Sequence, residues 1–173
     1  MDLGLLIVRV VFGLLMIGHG TQKLFGWFGG YGLTGSSGFV GSRGFAPAKF
    51  WTATGSLSES VGGLLFLLGL LSPLGSIAIA AAMLTAIVGF HWPKFWASEG
   101  GIEHALVMLT AAVAVGIAGP GAYALDAMLG TALPPMAAGI VAALAAVGFL
   151  VSVVGAAGRR RASAPAPSQK TAA

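Results

Sequence analysis

The sequence predicts an all-α protein, a polytopic bundle of five transmembrane helices, on three observations. Hydrophobic residues make up 57% of the 173-residue chain and charged residues only 8%, against about 25% charged in soluble proteins. The apolar residues fall into runs of 17 or more without a polar face, the length that crosses a hydrocarbon core of about 30 Å. The Lys and Arg residues cluster between the runs in a way that five crossings explain.

The first run, Leu3–Phe25, follows Met1-Asp2 without a basic n-region and contains Arg9. It is therefore expected to remain as a span and not to be cleaved as a signal peptide. Trp51–Leu71, Leu74–Phe90 and Ile102–Ala118 supply the next three spans, and Met136–Ala157 the fifth. The connection Gly26–Phe50 holds eight glycines, but no Gly-Lys-Ser/Thr follows a strand, which argues against a phosphate-binding loop. Its Phe, Leu and Val content predicts a short interfacial helix near Thr34–Gly41 between flexible hinges. Residues 158–173, rich in Ala, Ser, Pro and basic side chains, bury too little apolar surface to order themselves and are expected to form a disordered basic cytoplasmic tail.

With the N-terminus outside and the C-terminus cytoplasmic, the inner side collects Lys23, Arg43, Lys49, Lys94, Arg159, Arg160, Arg161 and Lys170. The outer loops then carry only Asp2 and Asp126, and Arg9 alone lies inside a span. The net charge of +4 is thus a topology signal, with no folded basic face for nucleic acid. The absence of Cys excludes disulfides, thiolate metal sites and catalytic thiols, so redox work would need a bound molecule.

This topology brings the polar residues to one leaflet: His19, Gln22 and Lys23; Ser56, Glu59 and Ser60; His91 and Lys94; Glu103 and His104. Trp27, Trp51, Trp92 and Trp96 mark the same boundary, as aromatic belts do. At 100° per residue, Arg9, His19 and Lys23 share a sector of about 80°. Thr52, Ser56, Glu59, Ser60 and Gly63 form a stripe that should face the bundle interior, with Glu59 about 12 Å below Trp51. A charge in a span raises a functional hypothesis by default. Glu59 can equally pair with His19 or Lys23 and fix helix register. Lys23 can snorkel, and Arg9 can pair inward or snorkel outward. His104 beside Glu103 can form a proton relay with His91, although interfacial solvation also accounts for both. No His-x-x-His or Glu-x-x-His pair occurs on any predicted helix, and no metal is expected.

The segment Gly18-His19-Gly20-Thr21-Gln22-Lys23-Leu24-Phe25-Gly26-Trp27-Phe28-Gly29-Gly30 resembles the signature of the DoxX family of small bacterial membrane proteins. Gly119-Pro120-Gly121-Ala122-Tyr123-Ala124-Leu125-Asp126 looks like the segment that follows that family's fourth helix, and Glu59, Glu103 and the Gly-Ser-rich stretch Leu33–Phe45 fall where the pattern expects them. The resemblance covers about residues 3–130. It implies a four-helix core (1–130) to which 131–157 adds a fifth helix, in a multi-pass protein of the bacterial plasma membrane. Relatives include a membrane subunit of a thiosulfate:quinone oxidoreductase and a member of a membrane complex joining superoxide dismutase and a sulfurtransferase in oxidative-stress defence. Distant animal relatives act as receptor assembly factors, so membership alone does not imply catalysis.

Three functions are compatible with these residues. The first is a quinone-interacting redox subunit with Glu59 and His19 as the reactive pair. His19, Lys23, Glu59, Glu103, His104 and His91 would surround a membrane quinone, and a soluble redox partner on the cytoplasmic face would supply electrons. The second is a non-catalytic scaffold or assembly factor, and the third a small-solute carrier, which lacks support from any repeat or broken helix pair. Lipid is the expected surrounding of all three, and homo-oligomerisation is left open.

Overall fold

The computed structural model describes residues 1–163 and is helical throughout, with no strand among the described residues. Seven α-helices follow in order: α1 (Asp2–Phe25), α2 (Gly32–Ser42), α3 (Ala48–Leu68), α4 (Leu74–Ala86), α5 (Glu103–Ala118), α6 (Leu125–Leu129) and α7 (Pro135–Ala162). A π-helical turn, Ile87–His91, prolongs α4. By length and composition Asp2–Phe25, Leu74–His91 and Pro135–Ala162 are able to cross a membrane. Helix α3 is long enough but carries the polar stripe, and α5 is apolar but shorter. The chain is an integral membrane protein built as a helical bundle.

Local chemistry sets the helix ends. Asp2 in the first turn of α1 and Lys23 in its last complement the helix dipole. Gly26 then stops α1 in the left-handed conformation, at φ 77°. Helix α3 starts immediately after Pro47, three residues before the expected Trp51, because Pro47 is extended and cannot continue a helix from the preceding side. It ends at Leu68, three residues before the expected Leu71. There Gly69 at φ 61° and the Leu70 N–H bonded to the Leu65 carbonyl close the helix. Pro135 opens α7 in its first turn, and Arg159, Arg160 and Arg161 close it. Residues 158–162, expected in the disordered tail, thus continue the last helix, and residues 164–173 lie outside the described part of the chain. The short helix expected near Thr34–Gly41 is α2.

Helices α1, α3, α4 and α5 form the central bundle, in which α1 packs on α3, α3 on α4 and α4 on α5. Lipid is as apolar as a side-chain core, so these contacts depend on close van der Waals fit more than on the hydrophobic effect. The crossing of α1 and α3 illustrates this. A Cβ on Gly13 would come within 2.7 Å of the Leu67 Cβ and 2.9 Å of the Gly63 carbonyl oxygen, and one on Gly20 would overlap the Ser60 hydroxyl. Met16, Phe66, Ile79, Met83, Met108 and Val115 fill the centre. Helix α7 packs on α4, with most of its surface exposed. One end of the bundle, the basic face, gathers the end of α1, the start of α3, the end of α4, the start of α5 and the end of α7. The opposite face holds Asp2, the α3–α4 turn and Asp126.

Candidate functional site

At the opposite face two buried charges tie the helix ends together. Arg9 is 1% exposed, and its guanidinium donates to the carbonyls of Phe66 (3.1 Å), Leu67 (2.9 Å) and Pro120 (2.7 Å). Phe66 and Leu67 belong to the last turn of α3, where the helix leaves carbonyls short of donors; the Phe66 carbonyl also accepts the Gly69 N–H at 3.2 Å. Arg9 therefore neither snorkels nor pairs with a carboxylate, and it caps a neighbouring helix. Gly69 makes room, because a Cβ there would lie 2.7 Å from the Arg9 Cζ. Beside this cap, Asp126 accepts from the Leu71 N–H (2.8 Å), the Ser72 N–H (2.7 Å) and the Thr131 hydroxyl (2.7 Å). Burial alone would push the Asp126 carboxyl up, but these hydrogen bonds outweigh it and hold the group below the usual carboxylate range. Residue spacing gives no sign that Arg9 and Asp126 bind the helix ends at this face. The need of a buried guanidinium for acceptors was the only available signal.

At the basic face the candidate residues separate into smaller groups. Lys23 from α1 bonds both oxygens of Glu59 from α3, at 2.5 and 2.7 Å. The Glu59 side chain is 5% exposed and that of Lys23 41%, so a buried carboxylate is neutralised by a cation that still reaches water. His19, one turn before Lys23 on α1, places its Nε2 3.1 Å from the Nε2 of His104 on α5. The two rings meet edge to face with centroids 5.0 Å apart. His104 is exposed and His19 half-buried. His91 instead turns its Nδ1 to the Gly100 carbonyl at 2.7 Å, and Glu103 accepts the Ala97 N–H at 2.9 Å. Both brace the α4–α5 loop. His104 thus partners His19 and not His91.

Helix α7 leaves a cavity of about 780 Å³ between itself, α2, α3 and α4. Apolar side chains such as Ile77, Ala81, Leu144 and Phe149 make most of its wall, and Lys23, Glu59, Ser56, Thr52 and His91 supply the polar part. His19, His104 and Glu103 do not line it. The volume lies within the range of small-molecule sites, roughly 300–1,000 Å³. The Ser56 hydroxyl in this wall is buried without a hydrogen-bond partner, a costly state unless something supplies one. At the basic end Phe90, in the π-helical turn, stacks between Phe45 (centroids 4.9 Å apart) and Phe39 (5.6 Å) and closes the cavity. The wider hydrogen-bond spacing of a π turn recurs at functional sites, and here it sets Phe90 and His91 at the cavity rim. Sequence patterning missed the cavity because it is made by a helix standing away from its neighbour.

No group of three or more His, Cys, Asp or Glu able to hold a metal ion occurs among the described residues. No curated protein and no solved structure matches the chain. The DoxX family profile matches residues 4–92. This stretch contains the Gly18–Gly30 signature, the Lys23–Glu59 pair and most of the cavity's α2, α3 and α4 wall. Glu103, His104 and the segment Gly119–Asp126 lie beyond the match. With just over half its length matched, the chain belongs to the DoxX family.

Proposed function

We propose that the protein is the quinone-interacting membrane subunit of a redox complex. The observation that carries this reading is the apolar cavity with the Lys23–Glu59 pair in its wall. A lipid-soluble molecule with a polar, carbonyl-bearing head and an apolar tail matches that distribution of surface. The residues present fit the group. Lys23 has a third N–H beyond the two directed at Glu59, and the Ser56 hydroxyl has no partner.

When bound, a quinone would supply a reversible two-electron, two-proton carrier. The residues of this chain would bind it and deliver protons. Lys23 and Ser56 would donate hydrogen bonds to carbonyl oxygens, and Glu59 would hold or release a proton beside them. The His19–His104 pair offers the route from water. In a neutral pair one Nε2 carries hydrogen and the other accepts, so exposed His104 passes a proton to His19, which lies within electrostatic range of Glu59 and Lys23. In the bacterial plasma membrane the bias of Lys and Arg would make the basic face cytoplasmic and leave the N-terminus outside. With no Cys in the chain, electrons would come from a soluble redox partner at that face.

A non-catalytic scaffold is the second reading. It is favoured by the exposed aromatics Trp27, Phe28, Tyr31, Trp92 and Trp96 at the basic face and by a Lys23–Glu59 pair that would simply fix helix register. Quinone extracted from detergent-purified protein and quantified by mass spectrometry separates the two. The redox reading expects near-stoichiometric quinone in the wild type and a marked loss in Glu59→Gln and Ser56→Ala with folding intact. Equal trace amounts in all three proteins would leave the scaffold.

A further inference from the structure

The corner where α2, the α2–α3 turn and the end of α7 meet gathers four cations. Arg159 donates from Nε to the Gly44 carbonyl at 2.8 Å and from Nη2 to the Ala46 carbonyl at 3.1 Å, which clamps α7 to the turn. Gly44 sits at φ 83°, and a Cβ on it would come 2.5 Å from the Ala156 carbonyl oxygen and 3.1 Å from the Arg160 Cγ. The stem of Arg160 therefore runs past the turn next to Arg43. The Arg43 guanidinium in turn lies 5.3 Å from the centre of the Phe39 ring. Lys49, exposed in the first turn of α3, is the fourth.

Nothing in the fold balances this charge. Helix α2, the turn and α7 contain no Asp or Glu, and the acid of α3, Glu59, is bound to Lys23. Among the described residues none of the four cations makes an ion pair. A topology signal requires only that cations lie on one side of the membrane. It does not require a glycine that admits an arginine stem, or a guanidinium held by two carbonyls of a neighbouring turn.

We propose that this corner is a headgroup site for an anionic phospholipid, whose phosphodiester groups sit among Arg43, Lys49, Arg159 and Arg160. Guanidinium groups bind phosphate through paired N–H donors, and cations placed at the membrane boundary attract anionic lipid. The site lies outside the cavity and does not depend on what the cavity binds.

Native mass spectrometry of the full chain, released from bilayers of phosphatidylethanolamine with cardiolipin or phosphatidylglycerol, tests the site. The wild type should retain one anionic lipid in preference to phosphatidylethanolamine. The double variant Arg43→Gln/Arg160→Gln should lose that lipid about tenfold or more, and Arg43→Lys/Arg160→Lys should keep most of it. Should the double variant not stay monodisperse, Arg160→Gln alone carries the test with a severalfold loss, since among the described residues the Arg160 side chain makes no hydrogen bond. Equal retention of both lipid classes, or unchanged retention in the Gln variants, would overturn the proposal and leave the cations as topology signals. Displacement of the lipid by inorganic phosphate would also overturn it, as the mark of a free-phosphate site.

Discussion

Replacing Arg9 with Met removes a buried charge while roughly keeping the side-chain volume, and the cost follows from what remains. The carbonyls of Leu67 and Pro120 lose their donor, while that of Phe66 keeps the Gly69 N–H at 3.2 Å. A buried acceptor left without a partner costs about 1–3 kcal/mol. Removing a buried guanidinium also recovers its own desolvation penalty, which offsets part of that loss. The balance is a destabilisation of roughly 2 kcal/mol, at the lower end of two orphaned acceptors. At roughly 2–4 °C per kcal/mol for a chain of this size, Arg9→Met should melt about 4–8 °C below the wild type in detergent. Arg9→Lys should recover only part of this, because an ammonium lacks the planar fork that reaches three carbonyls from one position. Scanning fluorimetry on the four exposed or half-buried tryptophans reads the transition. A melting temperature for Arg9→Met within a degree or two of the wild type would refute the argument that Arg9 caps α3.

Three further outcomes follow from the same geometry. Asp126→Ala should destabilise by about 1–3 kcal/mol for each orphaned backbone donor, those of Leu71 and Ser72, read as a loss of melting temperature. Because the folded Asp126 carboxyl lies below the usual carboxylate range, its contribution is full above the unfolded value of about 3.9 and is lost as pH falls through the folded value. The wild type and Asp126→Ala should thus differ by the same amount at pH 7 and pH 5 and converge only in stronger acid. Gly13→Val should fail to pack α1 on α3, since even a Cβ meets Leu67 at 2.7 Å. It should cost about 1–3 kcal/mol or more, visible as a lowered melting temperature or as aggregation on gel filtration. His104→Gln should leave quinone content unchanged while slowing quinone reduction in purified membranes, with recovery on adding imidazole. A rate equal to wild type would remove His104 from the proton route.

Hydropathy made the bundle legible, because runs long enough to span lipid and the distribution of Lys and Arg each constrain the fold over many residues at once. The α3 stripe from Thr52 to Gly63 was readable for the same reason, and all of it except half-buried Ser60 is buried. The ends of α3 were less readable, since Pro47 and Gly69 act through single backbone conformations inside apolar sequence. Periodicity also carries no information about which helices touch. The cap of α3 by Arg9 and the binding of the α3–α4 turn by Asp126 depend on residues more than fifty positions away. The alternative partners of Glu59 resolve to Lys23, and His104 meets His19 in place of the expected His91, through the same unreadable choice of neighbours. The cavity exists because α7 packs on α4 and stands away from α3, a geometry that a hydropathy pattern does not encode.

The proposed function rests on occupancy of that cavity, and photolabelling tests it most directly. A quinone carrying a photoreactive azide, crosslinked in bilayers and mapped by peptide mass spectrometry, should label residues of the α3, α4 and α7 walls such as Ser56, Ala81 and Phe149. Excess unmodified quinone should suppress that labelling, and Glu59→Gln should diminish it. Label confined to the lipid-facing side chains of α1 and α5, such as Ile7, Leu14 and Val107, and insensitive to both, would contradict a quinone site in this protein.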